Sequence, residues 1–330
     1  MPNSLDPAIR VLYIGGYVRS GTTIVDMLLG MNTATIAVGE INLIFRQVAK
    51  TDPPVLCSCG EPLSDCPLWT NVLDRFRAAL PDISFERADD ITRMVETFPE
   101  RLRDASRYRD EYAKIWRVMF EAIAEVSGAQ YIVDSSKTGR HSLYRPASLV
   151  DAGFDVSLLQ MVRDPRAVTW SKLRREISRG RLQRRSALFA AAFMSGLHWS
   201  VTNVSTDLLY CGGKKLPYYR MRYLDFVEQP VEKLREIEQT FQIDLSRTIE
   251  VIQRDETIGS GHLASGNELR LQNDLRLRKQ PPNWKTALPH PARLGVMVSL
   301  PVARCLRLPH HRLPLSRGTT CRARFSVSNG

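Results

Sequence analysis

Apolar residues follow two rhythms along this chain, and the rhythm changes at glycines and prolines. Val11, Leu12, Tyr13 and Ile14 form a short unbroken apolar run that Gly15 and Gly16 end, the pattern of a buried strand. Past Thr23, Ile24, Val25, Leu28 and Leu29 recur at helical spacing. Asn32 to Val38 reads as a loop entering a second strand that stops at Gly39 and Glu40, and Ile41 to Val48 reads as a short helix. Asn71 to Gly128 is mostly helical. Within it Tyr108, Tyr112, Ile115, Trp116, Met119, Phe120 and Ile123 keep a three-to-four spacing, which predicts one buried face. Strands follow at Tyr131 to Val133, Asp155 to Val162 and Tyr218 to Met221. Helices are predicted after Pro165, over Ser186 to Leu209, and through Val227, Val231, Leu234, Ile237 and Phe241. Short strands alternating with helices predict the α/β class, with a central parallel sheet flanked by helices. The expected organisation is one domain over 1–290, in which 50–128 is a loop and helical insertion that shapes the acceptor side, and a basic, Pro-rich tail of low order over 291–330. No internal repeat is evident.

The first strand–turn–helix adds chemistry to this outline. Such a turn aims backbone N–H groups and the positive end of a helix dipole at one point, which suits an anion. Gly21 lets the backbone approach a phosphate, Ser20, Thr22 and Thr23 add hydroxyls, and Arg19 adds a forked guanidinium. Gly16 to Thr23 also fits most of the P-loop pattern GxxxxGK[ST], which makes the expected fold a P-loop-like three-layer one. Thr22 stands where that pattern needs lysine, and a nucleoside triphosphatase without it loses its grip on the β- and γ-phosphates.

Charge is uneven. The net charge is +11. From Arg270 to Gly330 twelve Lys or Arg face the single acid Asp274, which leaves the preceding residues with 34 bases and 34 acids. A second basic cluster runs from Arg163 to Arg185. No aromatic interleaving or zinc-finger pattern supports a nucleic-acid partner. Leu294 to Leu306 is the most apolar late stretch, but it is too short to cross a bilayer and Pro301 and Arg304 interrupt it. The first ten residues lack the apolar core of a secretory signal, so a cytoplasmic location is expected.

GYVRSGTT, Gly16 to Thr23, resembles the 5′-phosphosulfate loop of the sulfotransferases that use 3′-phosphoadenosine 5′-phosphosulfate (PAPS), in which an Arg or Lys precedes SGTT. RDPRAVTWSKLR, Arg163 to Arg174, resembles the second signature of that family. There an Arg and a Ser eight residues later hold the 3′-phosphate, and Arg163 and Ser171 have that spacing. RYLDF, Arg222 to Phe226, is similar to the segment that reads roughly RYEDL, which implies Tyr223 near the nucleotide; a packed strand-end tyrosine is the equal alternative. IGSGHLASGNELR resembles a loop of the form H…GNPxR, with His262, Gly266, Asn267 and Arg270 matching and Glu268 in place of Pro. RLRKQPPNWKTAL, Arg276 to Leu288, fits a closing segment that folds over the nucleotide in the family. The resemblance covers the chain in pieces from Val11 to about Leu288.

It implies transfer of a sulfuryl group from PAPS to an acceptor hydroxyl or amine, with 3′,5′-ADP as product and no metal required. Charge builds on the bridging oxygen of the leaving phosphate, so a cation belongs there; Arg19 has the position and Lys137, in DSSK after a strand, is a second candidate. A general base is also needed. Glu40 resembles the glutamate of the tyrosyl-protein sulfotransferases, which follows their RSGTT at a similar distance, and His141 and His262 are rivals. A small-molecule or glycan acceptor is expected on family grounds. A P-loop nucleotide kinase and a catalytically silent anion-binding relative are the alternatives.

Six cysteines are present. Cys57, Cys59 and Cys66 lie in CSCGEPLSDCPLW and could bind zinc if a fourth ligand came from elsewhere. No histidine is near them in sequence, and a compact loop pinned by Leu63, Leu68 and Trp69 with buried thiols is the favoured reading.

Overall fold

Six of the seven residues of strand β1 (Arg10–Gly16) are buried, because strands flank it on both sides and helices cover both faces. The computed structural model describes residues 9–211, 216–272, 274–277 and 284–306. After β1 come α1 (Thr22–Leu29), β2 (Thr35–Gly39), α2 (Ile44–Val48), α3 (Pro67–Ala79), α4 (Phe85–Glu96) and α5 (Glu100–Ser127). The chain continues through β3 (Tyr131–Asp134), α6 (Arg145–Asp151), β4 (Asp155–Val162), α7 (Pro165–Ser178), α8 (Arg185–Thr206) and β5 (Tyr218–Arg222). It closes with α9 (Tyr223–Glu228), α10 (Pro230–Phe241), α11 (Ser246–Gln253), α12 (Trp284–Ala287), α13 (His290–Val296) and α14 (Leu300–Leu306).

The five strands run in the order β2-β3-β1-β4-β5 and every pairing is parallel. Alternation along β1 divides its side chains between two apolar layers. Val11 and Tyr13 join Phe45, Trp69, Phe76, Trp116 and Phe120 on one face. Leu12 and Ile14 join Val25, Leu28, Leu29, Leu234 and Ile237 on the other. This makes the expected three-layer α/β fold, in which each fully buried large side chain contributes about 1.5–3 kcal/mol. The predicted aromatic face of α5 is buried: Tyr112, Ile115, Trp116, Met119, Phe120 and Ile123 all lie inside.

A parallel sheet sends every strand's carboxyl end to the same edge. The chain leaves β1 toward β2 and leaves β4 toward β5, in opposite directions, and this divergence opens a crevice between the two strand ends.

A buried ionic cluster supports that edge from below. Arg145 is fully buried and lies 3.7 Å over the Trp116 ring. Its Nε donates to Asp134 at 2.7 Å and its Nη1 to Glu96, which also accepts from Tyr112 at 2.8 Å. Burial pushes the Glu96 carboxyl up to about 7, although Arg145 pulls the other way.

Residues 291–306, assigned to the tail by sequence, are helical and packed. Ala292 and Val296 bury against Leu173 and Ala192, and Ala303 and Leu306 against Val168, Trp199 and Tyr17. Pro291 and Pro301 each fall in the first turn of a helix, where a missing N–H is tolerated. The rest of the expected tail, 307–330, and 278–283 of the expected closing segment lie outside the described residues.

Candidate active site

Each of the five strands delivers one polar residue to the carboxyl edge. Arg19 follows β1, Glu40 follows β2, Lys137 follows β3, Arg163 follows β4 and Tyr223 follows β5. Four of these five stand in charged or aromatic contact with another of the set.

The loop between β1 and α1 is built around an open helix end. Gly21 caps α1 with φ of 93°, and no side chain caps the helix, so the first-turn N–H groups have no intrahelical acceptor. The Tyr223 ring covers Gly21 so closely that a Cβ there would sit 2.3 Å from Cδ2. Gly16 is equally confined, since its Cβ would meet the Met161 carbonyl oxygen at 2.3 Å. Ser20 is fully buried, and its Oγ has no hydrogen-bond partner among the described residues. An orphaned hydroxyl beside an uncapped helix end is what an anionic ligand would satisfy.

The second signature meets the first directly. Arg163 Nη1 donates to the Arg19 carbonyl oxygen at 3.1 Å, across 144 residues of sequence. The same guanidinium lies 4.5 Å over the Tyr223 ring. Trp199 of α8 holds the Arg163 backbone by donating Nε1 to its carbonyl at 3.0 Å. Asp164 caps α7 by accepting from the Arg166 N–H at 2.8 Å. Lys172 of α7 reaches back to the loop and donates to the Tyr17 hydroxyl at 2.7 Å. Ser171 is half-buried beside it, in the second turn of α7.

Electrostatics at this point favour an anion. Burial and the guanidinium charges of Arg175, Arg174 and Arg163 pull the Arg19 pKa down, against Glu268 alone in the other direction. Arg163 is lowered by burial and by Arg174. Cations depressed by burial and by neighbouring guanidinium groups are stabilised by a bound phosphate or sulfate.

On the β2–β3 side, Lys137 Nζ forms an ion pair with Glu40 Oε1. Both side chains are mostly buried, at 10% and 22% exposure, so solvent screens the pair little. The backbone around Lys137 is held from three directions. Tyr13 donates its hydroxyl to the Lys137 carbonyl, Thr138 N–H donates to Gly16 at 3.3 Å, and Gly16 N–H returns a bond to Thr138 Oγ1 at 2.9 Å.

No protein-family model and no curated protein matches the sequence. Sulfotransferases are among the solved structures similar to this chain. The sulfotransferase domain from the curacin biosynthetic pathway matches with a TM-score of 0.48 and 15% identity, over 92% of this chain and 98% of that one. The sulfotransferase domain from the Synechococcus PCC 7002 olefin synthase matches with a TM-score of 0.42 and 17% identity, over 90% and 97% of the two chains. Sulfotransferase STF9 from Mycobacterium avium matches with a TM-score of 0.45 and 17% identity, over 76% and 68%.

The loop after α11 forms the rim. Ser265 bridges Gly39 at the end of β2, and Glu40 N–H donates to the Ser265 carbonyl at 3.3 Å. Asn267 N–H donates to Thr23 Oγ1 at 3.3 Å, which seats Gly266 and Asn267 on the start of α1. Arg270 turns inward and ties the loop itself, donating to Gly266 at 3.3 Å and to Leu56 at 2.8 Å. Glu268, which stands where the family pattern has Pro, makes a two-pronged ion pair with Arg175 of α7. His262 turns Nδ1 toward Cys66 and Cys57. His141 is exposed, and Thr97 donates to its carbonyl at 3.4 Å. Arg166 lies 4.2 Å under the Trp284 ring, so the described part of the closing segment packs on α7.

Sequence reading did not single out Lys172, Tyr17 or the cluster of Arg145, Glu96 and Asp134. A concavity lined by Arg10, Tyr131, Asp155, Pro217 and Gln242 opens at the amino end of the strands, away from all of this chemistry. Among the described residues no helix is long and apolar enough to cross a membrane.

Proposed function

We propose that this chain is a PAPS-dependent sulfotransferase that moves a sulfuryl group to a hydroxyl of a carbohydrate, glycolipid or secondary metabolite. We place its work in the cytoplasm, and no nucleic acid takes part. The observation that carries the reading is the contact of Arg163 with the Arg19 carbonyl and the Tyr223 ring, beside the unpartnered Ser20 hydroxyl. It joins the two segments that resemble the 5′-phosphosulfate and 3′-phosphate signatures into one cationic crevice, as a donor with phosphate at both ends requires.

In this reading Ser20, Thr22, Thr23 and the first-turn N–H groups hold the phosphosulfate, and Arg163 with Ser171 holds the 3′-phosphate. Tyr223 flanks the donor, and Gly16, Gly21, Gly266 and Asn267 give the backbone its close approach. Arg270 holds the rim in shape. The acceptor oxygen forms a bond to sulfur as the bond from sulfur to the bridging phosphate oxygen breaks. Arg19 and Lys137 neutralise charge on the departing oxygen, and Glu40 takes the acceptor proton.

The test is calorimetric binding of 3′,5′-ADP in the absence of Mg²⁺, followed by mass spectrometry of acceptor pools incubated with labelled PAPS. Saturable 3′,5′-ADP binding and a sulfated product are expected, and Arg19→Ala should lower transfer by about 10²–10³-fold. Mg²⁺-dependent ATP turnover without 3′,5′-ADP binding would instead identify a kinase. Normal PAPS binding with no sulfated product from any pool would identify a silent binding protein.

A further inference from the structure

Three cysteines of the 50–69 loop and one histidine far away in sequence come together. Cys57 and Cys66 are fully buried, Cys59 is exposed and His262 is half-buried. Their sulfur and nitrogen atoms all lie within 4.8 Å of one another. We propose that Cys57, Cys59, Cys66 and His262 are the four ligands of a structural zinc ion that tethers the rim loop, 258–270, to the cysteine loop.

The distances carry it. A tetrahedron with Zn–S near 2.3 Å and Zn–N near 2.05 Å has sulfur–sulfur edges of about 3.8 Å and sulfur–nitrogen edges of about 3.6 Å. Here Cys59 Sγ lies 3.7 Å from Cys66 Sγ. His262 Nδ1 lies 3.3 Å from Cys66 Sγ and 3.9 Å from Cys57 Sγ. These three edges need shifts of about 0.3 Å or less to take the ion, and the remaining three lie within 4.8 Å. Three thiols and one imidazole are also a borderline-soft donor set, which selects zinc over the hard divalent cations.

The backbone that carries the cysteines is tied in place. The loop is already folded around them: Leu56 pairs with Pro62, Cys57 N–H donates to Glu61 at 2.8 Å and Cys66 N–H to Pro62 at 2.9 Å.

The site has a mechanical consequence. Ser58 laces the two loops together, accepting from the Leu263 N–H at 2.7 Å and donating to the Ser260 carbonyl at 2.7 Å. Trp69 Nε1 donates to the His262 carbonyl at 2.8 Å. A few residues further on, the same rim loop supplies the bonds to Glu40 and Thr23 described above. A metal at the base of the loop holds the far end against the crevice without touching it. The assignment rests on ligand geometry and stands apart from the reaction proposed above.

The experiment uses the full chain, purified under reducing conditions, exposed to Zn²⁺ and freed of loose metal by gel filtration. Elemental analysis should find about one zinc per chain. Cys59→Ser and His262→Ala should lose it on the column, and Cys305→Ser should keep it. Replacement by Co²⁺ should give the intense thiolate-to-cobalt band of a tetrahedral sulfur-rich site, which decides the matter even if both variants fail to fold. Removal of the metal should speed amide exchange in 258–270 and leave β1 unchanged. No retained zinc and no such band in the wild-type chain, zinc retained undiminished by folded Cys59→Ser and His262→Ala, or a Cys59–Cys66 disulfide in place of metal would each overturn the assignment.

Discussion

Replacing Arg163 by Ala separates two roles that the crevice assigns to one side chain. Within the chain the guanidinium makes a hydrogen bond of 3.1 Å to the Arg19 carbonyl and lies 4.5 Å over the Tyr223 ring. Those contacts contribute roughly 1–2 kcal/mol together, less whatever repulsion toward Arg174 the change relieves, so the variant should fold. The second role, a fork on the donor's 3′-phosphate, exists only when that phosphate is bound. A charge-assisted bond of this kind is worth about 1.5–3 kcal/mol, which is about 10–150-fold in affinity. The assay is a ligand cycle by calorimetry: wild type and Arg163→Ala, each with 3′,5′-ADP and with adenosine 5′-phosphate. The variant should lose about 10–150-fold toward the first ligand and less than about threefold toward the second. Arg163→Lys keeps the charge but not the fork and should fall between. Equal losses toward both ligands would refute the role, because Arg163 would then act only by shaping the loop.

Three further outcomes follow from particular contacts. Gly21→Ala puts a Cβ into the Tyr223 ring at positive φ, so it should destabilise the fold by about 1–3 kcal/mol in urea titration and abolish 3′,5′-ADP binding; an unchanged midpoint would show that the ring yields freely. Glu40→Gln should lower kcat by about 10²–10⁴-fold with 3′,5′-ADP affinity unchanged, as expected of a base that meets the acceptor, and an unchanged kcat would pass the role to another group. Glu96 titrates near 7 when folded and near 4.3 when unfolded, so between those values the folded state holds the extra proton and stability falls as pH rises. The difference between the stability curves of wild type and Glu96→Gln should therefore grow from pH 4.5 to 7, by at most about 3 kcal/mol, and a flat difference would contradict it.

Much of the crevice was legible because a parallel sheet leaves few choices. A polar residue that follows an apolar run must emerge at the carboxyl edge, which marks Arg19, Lys137 and Arg163, whereas Glu40 and Tyr223 rest on the family resemblance alone. The pairing of Arg145 with Glu96 and Asp134 left no such trace. Its members sit on three elements, and a buried charge has the same letter as an exposed one. His262 matched a nucleotide-loop pattern, but lies against cysteines 196 residues or more before it. Local spacing carries no signal for a contact of that separation. Pro291 and Pro301 read as helix breakers only until their first-turn positions are seen.

Backbone strain gives an independent handle on which residues function demands. Four described residues other than glycine have positive φ, and two of them are the candidate cations Arg19, at 66°, and Lys137, at 68°. A left-handed conformation costs an L-residue about 1–2 kcal/mol, and glycine would avoid it. Arg19 is not held there by its own contacts alone, since burial and the neighbouring guanidinium groups also disfavour its charge. A residue that is both strained and repelled, yet is not glycine, is retained for its side chain. Arg19→Gly and Arg19→Ala both remove the guanidinium and both should lower transfer by about 10²–10³-fold. Only the glycine variant also removes the strain, so it should be more stable than the alanine variant by about 1 kcal/mol, after the greater freedom of unfolded glycine is offset. Matched urea titrations read the difference. An alanine variant as stable as the glycine variant would mean that the loop relaxes, and that φ at Arg19 says nothing about its role.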